Sequence, residues 1–337
     1  MVVLLHHVPD PEVRTWGDLT PQVLANFETV DSIAAMVDHI RPYIPGLTAV
    51  NVADDDWRLR TFGHRVFNYT YAFGMLADSA LPTVALEGAG ADYFGARPQG
   101  LYCSANKPYC SDLMAALGFR CPKQRIVAGR MDAAQAEKVS REFAGSEQLV
   151  VKPACEDSSV GLSLINNAPT EIRTAVNGLH EMLQGVVLLQ DYVEGQDVTV
   201  PVIGRSQARC LPALTLSHET PLSGPFVFDA QAKATKEKVH YEPVADWPRA
   251  LREHLYAMAT TAFGAVGLRD YARLDCRVTP AGECLFLEVN ANPQLGLSKA
   301  SFAVSAQAAG MTLGKVVQMI VDDEPLPFGD SPLQVGL

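Results

Sequence analysis

The segment YARLDCRVTPAGECLFLEVNANP, residues 271–293, constrains this chain more than any other. It reads as two apolar strands around a Pro-Ala-Gly-Glu turn, each strand carrying an acid. Side chains alternate faces along a strand, so Arg273 and Asp275 share one face, as do Glu288 and Asn290. A two-residue loop at Ala281-Gly282 sets Asp275 opposite Glu288 and Arg273 opposite Asn290, whereas a bulge at Gly282 shifts that register by one. Opposed carboxylates repel in a bare sheet. A charge inside the apolar run LFLEVN is costly unless something compensates it. A hard divalent cation between Asp275, Glu288 and the amide oxygen of Asn290 removes both penalties. That oxygen set suits magnesium, with manganese as a substitute. The plainer alternative, two acids facing solvent on an edge hairpin, is disfavoured by the apolar run around Glu288.

Composition narrows the partners. With 27 Lys+Arg against 38 Asp+Glu the net charge is −11, which excludes a long basic face, so no nucleic acid is expected. Phosphate can still be held locally, by a few lysines, backbone amides and a metal. The apolar fraction of 48% over 337 residues is enough to pack two or three lobes. The opening run Val2–Leu5 is too short for a secretory signal, and no apolar stretch approaches the roughly 20 residues of a membrane span. Seven cysteines form no CxxC pair and no zinc spacing, which points to reduced thiols in a cytoplasmic protein.

Texture divides the chain into an N-terminal α/β lobe (1–102), a central lobe (103–187), a sheet-rich C-terminal lobe carrying the metal site (188–325) and a polar tail (326–337). In the first lobe, strands are expected at 2–6, 47–52, 66–68 and 83–86, with a helix at 32–40. In the second, a helix at 107–117 is stopped by Gly118. A strand follows at 124–127, then a helix capped by Asp132, the strand LVVKP, a Ser/Gly loop, the strand GLSLI and a helix capped by Thr170. The third has strands LLQDYV, QDVTVPVIG, ARCLPAL, YARLDCRV and CLFLEVN, with helices at 248–263 and 301–321. His6 and His7 end the first strand, where open α/β sheets bind ligands.

Two further segments carry chemistry. In VVKPACEDSSVGLS, residues 150–163, Pro153 ends a strand and a small polar loop follows up to Gly161. Such a loop can close over an anion with its amides while Lys152 sets an ammonium beside it; the segment alone reads more readily as a surface turn. In LLQDYVEGQDVTV, residues 188–200, an apolar strand runs into Tyr192-Val193, a glycine turn and Asp197. That offers a flat slot with backbone groups on its edge and a carboxylate nearby, which suits a purine and a ribose hydroxyl; a plain hairpin fits as well. Lys107, near a helix start, and Lys233, in an irregular stretch, complete the basic candidates.

In this order the pieces resemble the ATP-grasp ligases, and within them the D-alanine–D-alanine ligase family, over roughly residues 105–322. The resemblance implies an α/β ATP-grasp architecture, in which an N-terminal open α/β lobe precedes two lobes that clamp ATP. It makes Asp275, Glu288 and Asn290 the magnesium ligands, and Lys107 and Lys152 the lysines on the ATP phosphates. Glu156, Ser158, Ser159 and Gly161 become the loop over the γ-phosphate. Gln190, Asp191, Tyr192 and Val193 become the adenine hinge. Asp197 stands at the ribose acid, where the family usually has Glu. Lys233 corresponds to the lysine near the γ-phosphate and Arg273 to the arginine that stabilises the tetrahedral transition state; these two and Ser159 are the implied catalytic groups. Glu28 is implied at the first substrate's amino group, and Ser298 or Ser301 at the second substrate.

Departures from the family cluster in substrate-facing segments. The first strand runs into HHVPDPE rather than a Gly/Ser-rich loop, Ala234 replaces a loop tyrosine, and ANPQLGLSKAS is two residues longer than usual. The implied activity is ATP-dependent, ADP-forming ligation of two amino acids, or of an amino acid and a related amine, through an acyl phosphate. A cell-wall D-alanine–D-alanine ligase and a dipeptide-forming enzyme of specialised metabolism both fit. The alternatives are a kinase on the same nucleotide lobes, and a nucleotide-binding module without catalysis. The implied partners are small amino acids, with neither membrane nor nucleic acid, and family habit suggests a homodimer.

Overall fold

The computed structural model describes residues 1–8, 28–70, 76–155, 161–218, 239–297 and 300–327. Three sheets follow one another along the chain. The first is parallel, with spatial order β2-β1-β3-β4. It is built from β1 (Val2–His6), helix α1 (Val30–Ile40), β2 (Thr48–Asn51), α2 (Trp57–Thr61), β3 (Arg65–Tyr69), α3 (Leu76–Gly88) and β4 (Tyr93–Phe94). β1 is buried along its whole length, as expected of a central parallel strand covered on both faces. Thr29 caps α1 in a reciprocal capping box with Ser32. Helices α4 (Pro98–Ala105) and α5 (Lys107–Ala116) lead out of this lobe.

The second sheet is antiparallel, with order β5-β8-β6-β7. Its elements are β5 (Gln124–Val127), α6 (Ala133–Glu142), β6 (Gln148–Pro153), β7 (Ser163–Asn166), α7 (Pro169–Leu183) and β8 (Val187–Asp191). Leu149, Val151, Val187 and Leu189 pack against Ala136, Val139, Ile172 and Val176 of α6 and α7. By alternation, Val150, Lys152, Leu188 and Gln190 take the other face.

The third sheet has order β12-β11-β9-β13-β14, with β10 on β9. It comprises β9 (Gln196–Gly204), β10 (Arg209–Cys210), β11 (Leu214–His218), β12 (Val239–Pro243), α8 (Arg249–Ala265), β13 (Asp270–Val278) and β14 (Cys284–Ala291). One face is apolar: Val198, Val200, Val202, Leu274, Cys276, Phe286 and Val289 pack on Leu255, Met258, Ala259 and Ala262 of α8. Helices α9 (Ser301–Ala308) and α10 (Leu313–Asp322) return to the first lobe. There Val316, Val317 and Ile320 share a core with Ile33, Met36 and Ile40 of α1.

The lobes are locked through β4. Asp270 is fully buried at φ 68 and accepts from the Gly95 amide at 2.8 Å and from Arg205 at 2.8 Å. Gly95 sits at φ 110, and a Cβ there would lie 3.0 Å from Asn292 Oδ1 and 3.2 Å from the Asn68 carbonyl. Neither the left-handed backbone nor the contact tolerates a side chain.

Several expectations are corrected. Residues 83–86 form no strand; they belong to α3, whose buried Pro82, Thr83 and Leu86 follow helical spacing. A short β-branched run cannot distinguish the two by periodicity, and Asn68 fixes the helix by donating to Thr83 Oγ1 at 3.0 Å. The helix expected at 301–321 is two, broken at Gly310 (φ 70). Ala168, not Thr170, is the N-cap of α7. The strand at 187–191 pairs with β5 and β6 and so belongs to the middle sheet. Helix α4 and strand β12 carry no strong pattern and were not anticipated.

Candidate active site

The polar face of the third sheet is built by strand alternation. On β13 it presents Arg273, Asp275 and Arg277, and on β9 Asp197 and Thr199, with Asp275 paired to Thr199 and Arg277 to Asp197. On β14 it presents Glu288 and Asn290, paired to Asp275 and Arg273. The expected register is therefore present, but it arises from two irregularities that cancel. The loop is one residue longer than a two-residue hairpin, since Val278 pairs with Cys284 and the Thr279 amide donates to the Glu283 carbonyl at 2.9 Å, and Gly282 at φ 79 accommodates the turn. A bulge between Asp275 and Cys276 then leaves Leu287 without a partner on β13 and restores the register. It also lets Phe286 face the core while Glu288, two residues on, faces the cleft.

The charges interlock. Arg273 donates through Nε to Asp275 Oδ1 (2.9 Å) and through Nη2 to Oδ2 (2.7 Å). Asn290 Nδ2 donates to Asp275 Oδ2 (2.9 Å) and Glu288 Oε1 (3.4 Å). Lys107 Nζ lies 3.9 Å from Glu288 Oε2. The Lys107 amide donates to the Ala154 carbonyl at 3.0 Å, which ties the start of α5 to the end of β6. Lys152 faces this set from the middle sheet. Burial pushes its ammonium down to about 8, against the pull of Glu288, Asp197 and Asp275 and with the push of Lys107. Burial raises the Asp197 carboxyl, and Arg277 opposes that rise. Tyr241 on β12 lies close enough to feel Arg273 and Asp275, and burial raises its phenol.

These residues fit a divalent cation. Among the described residues no three His, Cys, Asp or Glu side chains converge, so the donor set is two carboxylates completed by an amide. The positive end of the Asn290 amide stands between the two carboxylates, and turning that amide would present its oxygen to a cation held by them.

Sequence reasoning missed Arg277. Its side chain is 5% exposed, and it donates to Asp197 Oδ1 (2.6 Å), the Val193 carbonyl (2.9 Å) and the Tyr192 hydroxyl (3.0 Å). The signal was available, because period two from Arg273 and Asp275 places residue 277 on the same face. Gln190 is buried on the cleft side of β8. Asp191 turns the other way and accepts from Ser146 Oγ at 2.5 Å, so only its backbone lies along the hinge. Gly161 sits at φ 65, with Leu179 filling the space a Cβ would need. Glu156, Ser158, Ser159, Lys233 and Ser298 lie outside the described residues. Ser301 is buried in the first turn of α9.

Glu28 stands apart, at the carboxyl end of the first sheet. It accepts from Ser32 (2.5 Å), Tyr69 (2.8 Å) and Gln294 (2.9 Å), the last only four residues beyond Asn290. His6 and His7 are both buried beside it. Burial lowers the His6 imidazole to about 4, which keeps it neutral.

A family profile described as "D-ala D-ala ligase C-terminus" matches residues 113–322. The D-alanine–D-alanine ligase of Pseudoalteromonas translucida is 28% identical over 240 residues, 71% of this chain and 73% of that one. An uncharacterized protein of Sinorhizobium fredii, y4sG, is 27% identical over 240 residues, 70% of this chain and 67% of that one. Among solved structures, the Bacillus anthracis D-alanine–D-alanine ligase complexed with ATP superposes with a TM-score of 0.70 at 17% identity, covering 96% of each chain. That likeness establishes the shared fold.

Proposed function

Since this chain belongs to the D-alanine–D-alanine ligase family, we propose that the cleft between its second and third sheets holds ATP with a divalent cation while two amino acids are joined beside it. The enzyme is an ADP-forming ATP-grasp ligase that makes a C–N bond. The observation that carries the site is the convergence of Asp275, Glu288 and Asn290 on one face, with Lys107, Lys152 and Arg273 around them.

The chemistry follows from charge. A substrate carboxylate is already ionised at neutral pH, so its attack on the γ-phosphate needs neutralisation of the phosphates rather than a base. Lys107 and Lys152 place two ammonium groups on that path. Magnesium, held by Asp275, Glu288 and Asn290, would withdraw charge from the phosphate oxygens. The resulting acyl phosphate and ADP remain in the cleft until an amine attacks the acyl carbon. Arg273, at the edge of the carboxylate set, donates to the tetrahedral oxyanion, which collapses to amide and phosphate. Water must be excluded from the cleft meanwhile.

The substrates are an amino acid and a second amino acid or related amine, and a pair of D-alanines is one such combination. The departures at His6, His7 and after Asn290 favour a dipeptide other than D-alanyl-D-alanine, since they surround Glu28 rather than the nucleotide cleft. All seven cysteines are free, and among the described residues no helix is long and apolar enough to cross a membrane; both accord with a cytoplasmic enzyme. The test is a pairwise amino-acid matrix with Mg-ATP, scored for ADP and for new amide mass. Amide formation with stoichiometric ADP supports the ligase. A stable phosphorylated product made without an amine would instead identify a kinase.

A further inference from the structure

We propose that Arg277 is a positioning residue for the nucleotide: its guanidinium pins the turn between β8 and β9, and the acid that follows, onto β13. This rests on the reading of the cleft as the ATP site, and it concerns a residue to which neither the sequence pattern nor the family resemblance gave a role.

The geometry uses the whole fork of one side chain. Nε donates to the Val193 carbonyl at 2.9 Å, Nη1 to Asp197 Oδ1 at 2.6 Å and Nη2 to the Tyr192 hydroxyl at 3.0 Å. The guanidinium carbon also lies 5.4 Å from the Tyr192 ring centroid. Three acceptors on two segments are thus fixed to one point of β13. These segments are the candidate base-side edge (192–193) and the candidate ribose-side acid (197). The same turn carries the chain from the second sheet to the third. At Gly195 the backbone runs so close to β13 that a Cβ would lie 2.2 Å from the Val278 carbonyl. Side-chain fork and backbone contact therefore clamp the turn from adjacent points.

The residue type matters. A planar fork can serve three acceptors at set angles, whereas a lysine ammonium is a single point charge on a flexible stem. Arg277 also pairs the charge of Asp197, whose side chain is only 17% exposed. Removing one partner of such a pair leaves the other buried and unpaired, the costly case. The acid would then lose its orientation toward a sugar hydroxyl even though it remains in the chain.

The experiment is calorimetric titration of the full-length protein with ADP and magnesium chloride, together with steady-state kinetics. We expect Arg277→Met to weaken ADP binding by about tenfold or more and to raise the KM for ATP in parallel, leaving kcat within about threefold. Arg277→Lys should recover only part of that loss. Asp197→Asn combined with Arg277→Met should cost clearly less than the product of the two single losses, because the second change acts through a contact the first has already removed. If Arg277→Met does not fold, Arg277→Lys and Asp197→Asn carry the decision. The inference is overturned if the folded Arg277 variants bind ADP within about twofold of the parent, if the paired losses multiply, or if kcat alone falls. A parent protein that binds no ADP would instead overturn the nucleotide reading of the cleft.

Discussion

Replacing Arg273 by alanine separates the two halves of the proposed reaction. In the free protein the guanidinium is bidentate on Asp275, and both side chains are about a quarter exposed, at 25% and 23%. Asp275 therefore loses a partner on truncation, but it keeps Asn290 Nδ2 at 2.9 Å and, with metal-nucleotide present, gains a cation. Nucleotide binding should survive within a few-fold. The oxyanion has no such substitute. Losing one well-placed donor to it typically costs about 2.7–4 kcal/mol, which is roughly a 100- to 1000-fold loss in rate. Two signals are followed on the same samples: ADP by a coupled assay and amide by mass. We expect ADP affinity to be retained, amide formation to fall at least a hundredfold, and residual ADP release to exceed amide as the stranded acyl phosphate hydrolyses. Amide formation within about threefold of the parent would remove Arg273 from the mechanism. Loss of ADP binding together with product would reassign it to the nucleotide.

Three further outcomes follow from the geometry. Lys152 carries a folded-state pKa near 8 against an ordinary 10.5, and it must be protonated to hold phosphate. ADP affinity should therefore fall as pH rises through about 8, and Lys152→Arg should flatten that fall. The free protein should gain stability over the same range up to about 10.5, because the unfolded chain then binds the extra proton. His6, lowered to about 4 from 6.5, contributes stability that is complete above 6.5 and is lost as pH falls toward 4; the drop in thermal midpoint between pH 7 and pH 5 should shrink in His6→Gln. Deleting Leu287 removes the bulge but keeps Phe286 opposite Cys276 and Glu288 opposite Asp275 in regular alternation, so Mn2+ binding followed by electron paramagnetic resonance should be retained. Loss of Mn2+ binding in that deletion would show that the bulge itself, and not the pairing of Asp275 with Glu288, sets the metal face.

The carboxylate face was legible because it depends on local rules. Alternation put Arg273 with Asp275 and Glu288 with Asn290, and the cost of an uncompensated acid in LFLEVN marked the face as a site. The means by which the register is achieved was not legible, since a three-residue loop and a bulge at Leu287 cancel and leave no trace in composition. Helix α3 was misread because TVAL after a proline has strand chemistry, and its helical state is decided by contacts such as Asn68 with Thr83. Strand β8 was assigned to the wrong sheet because strand pairing is a long-range choice that an apolar run does not encode. Arg277 was overlooked for a different reason: arginine on a strand usually snorkels to solvent. Its burial depends on Asp197, eighty residues earlier in the chain.

The central claim is that a carboxyl group is activated as a mixed anhydride with phosphate, and isotope transfer tests it most directly. With the amino-acid pair that turns over fastest, the acid component is labelled with 18O in its carboxylate, and the phosphate released by the enzyme is analysed by mass. Attack through a carboxylate oxygen followed by displacement by the amine predicts one labelled oxygen in each phosphate formed. Amide accompanied by unlabelled phosphate would contradict the account.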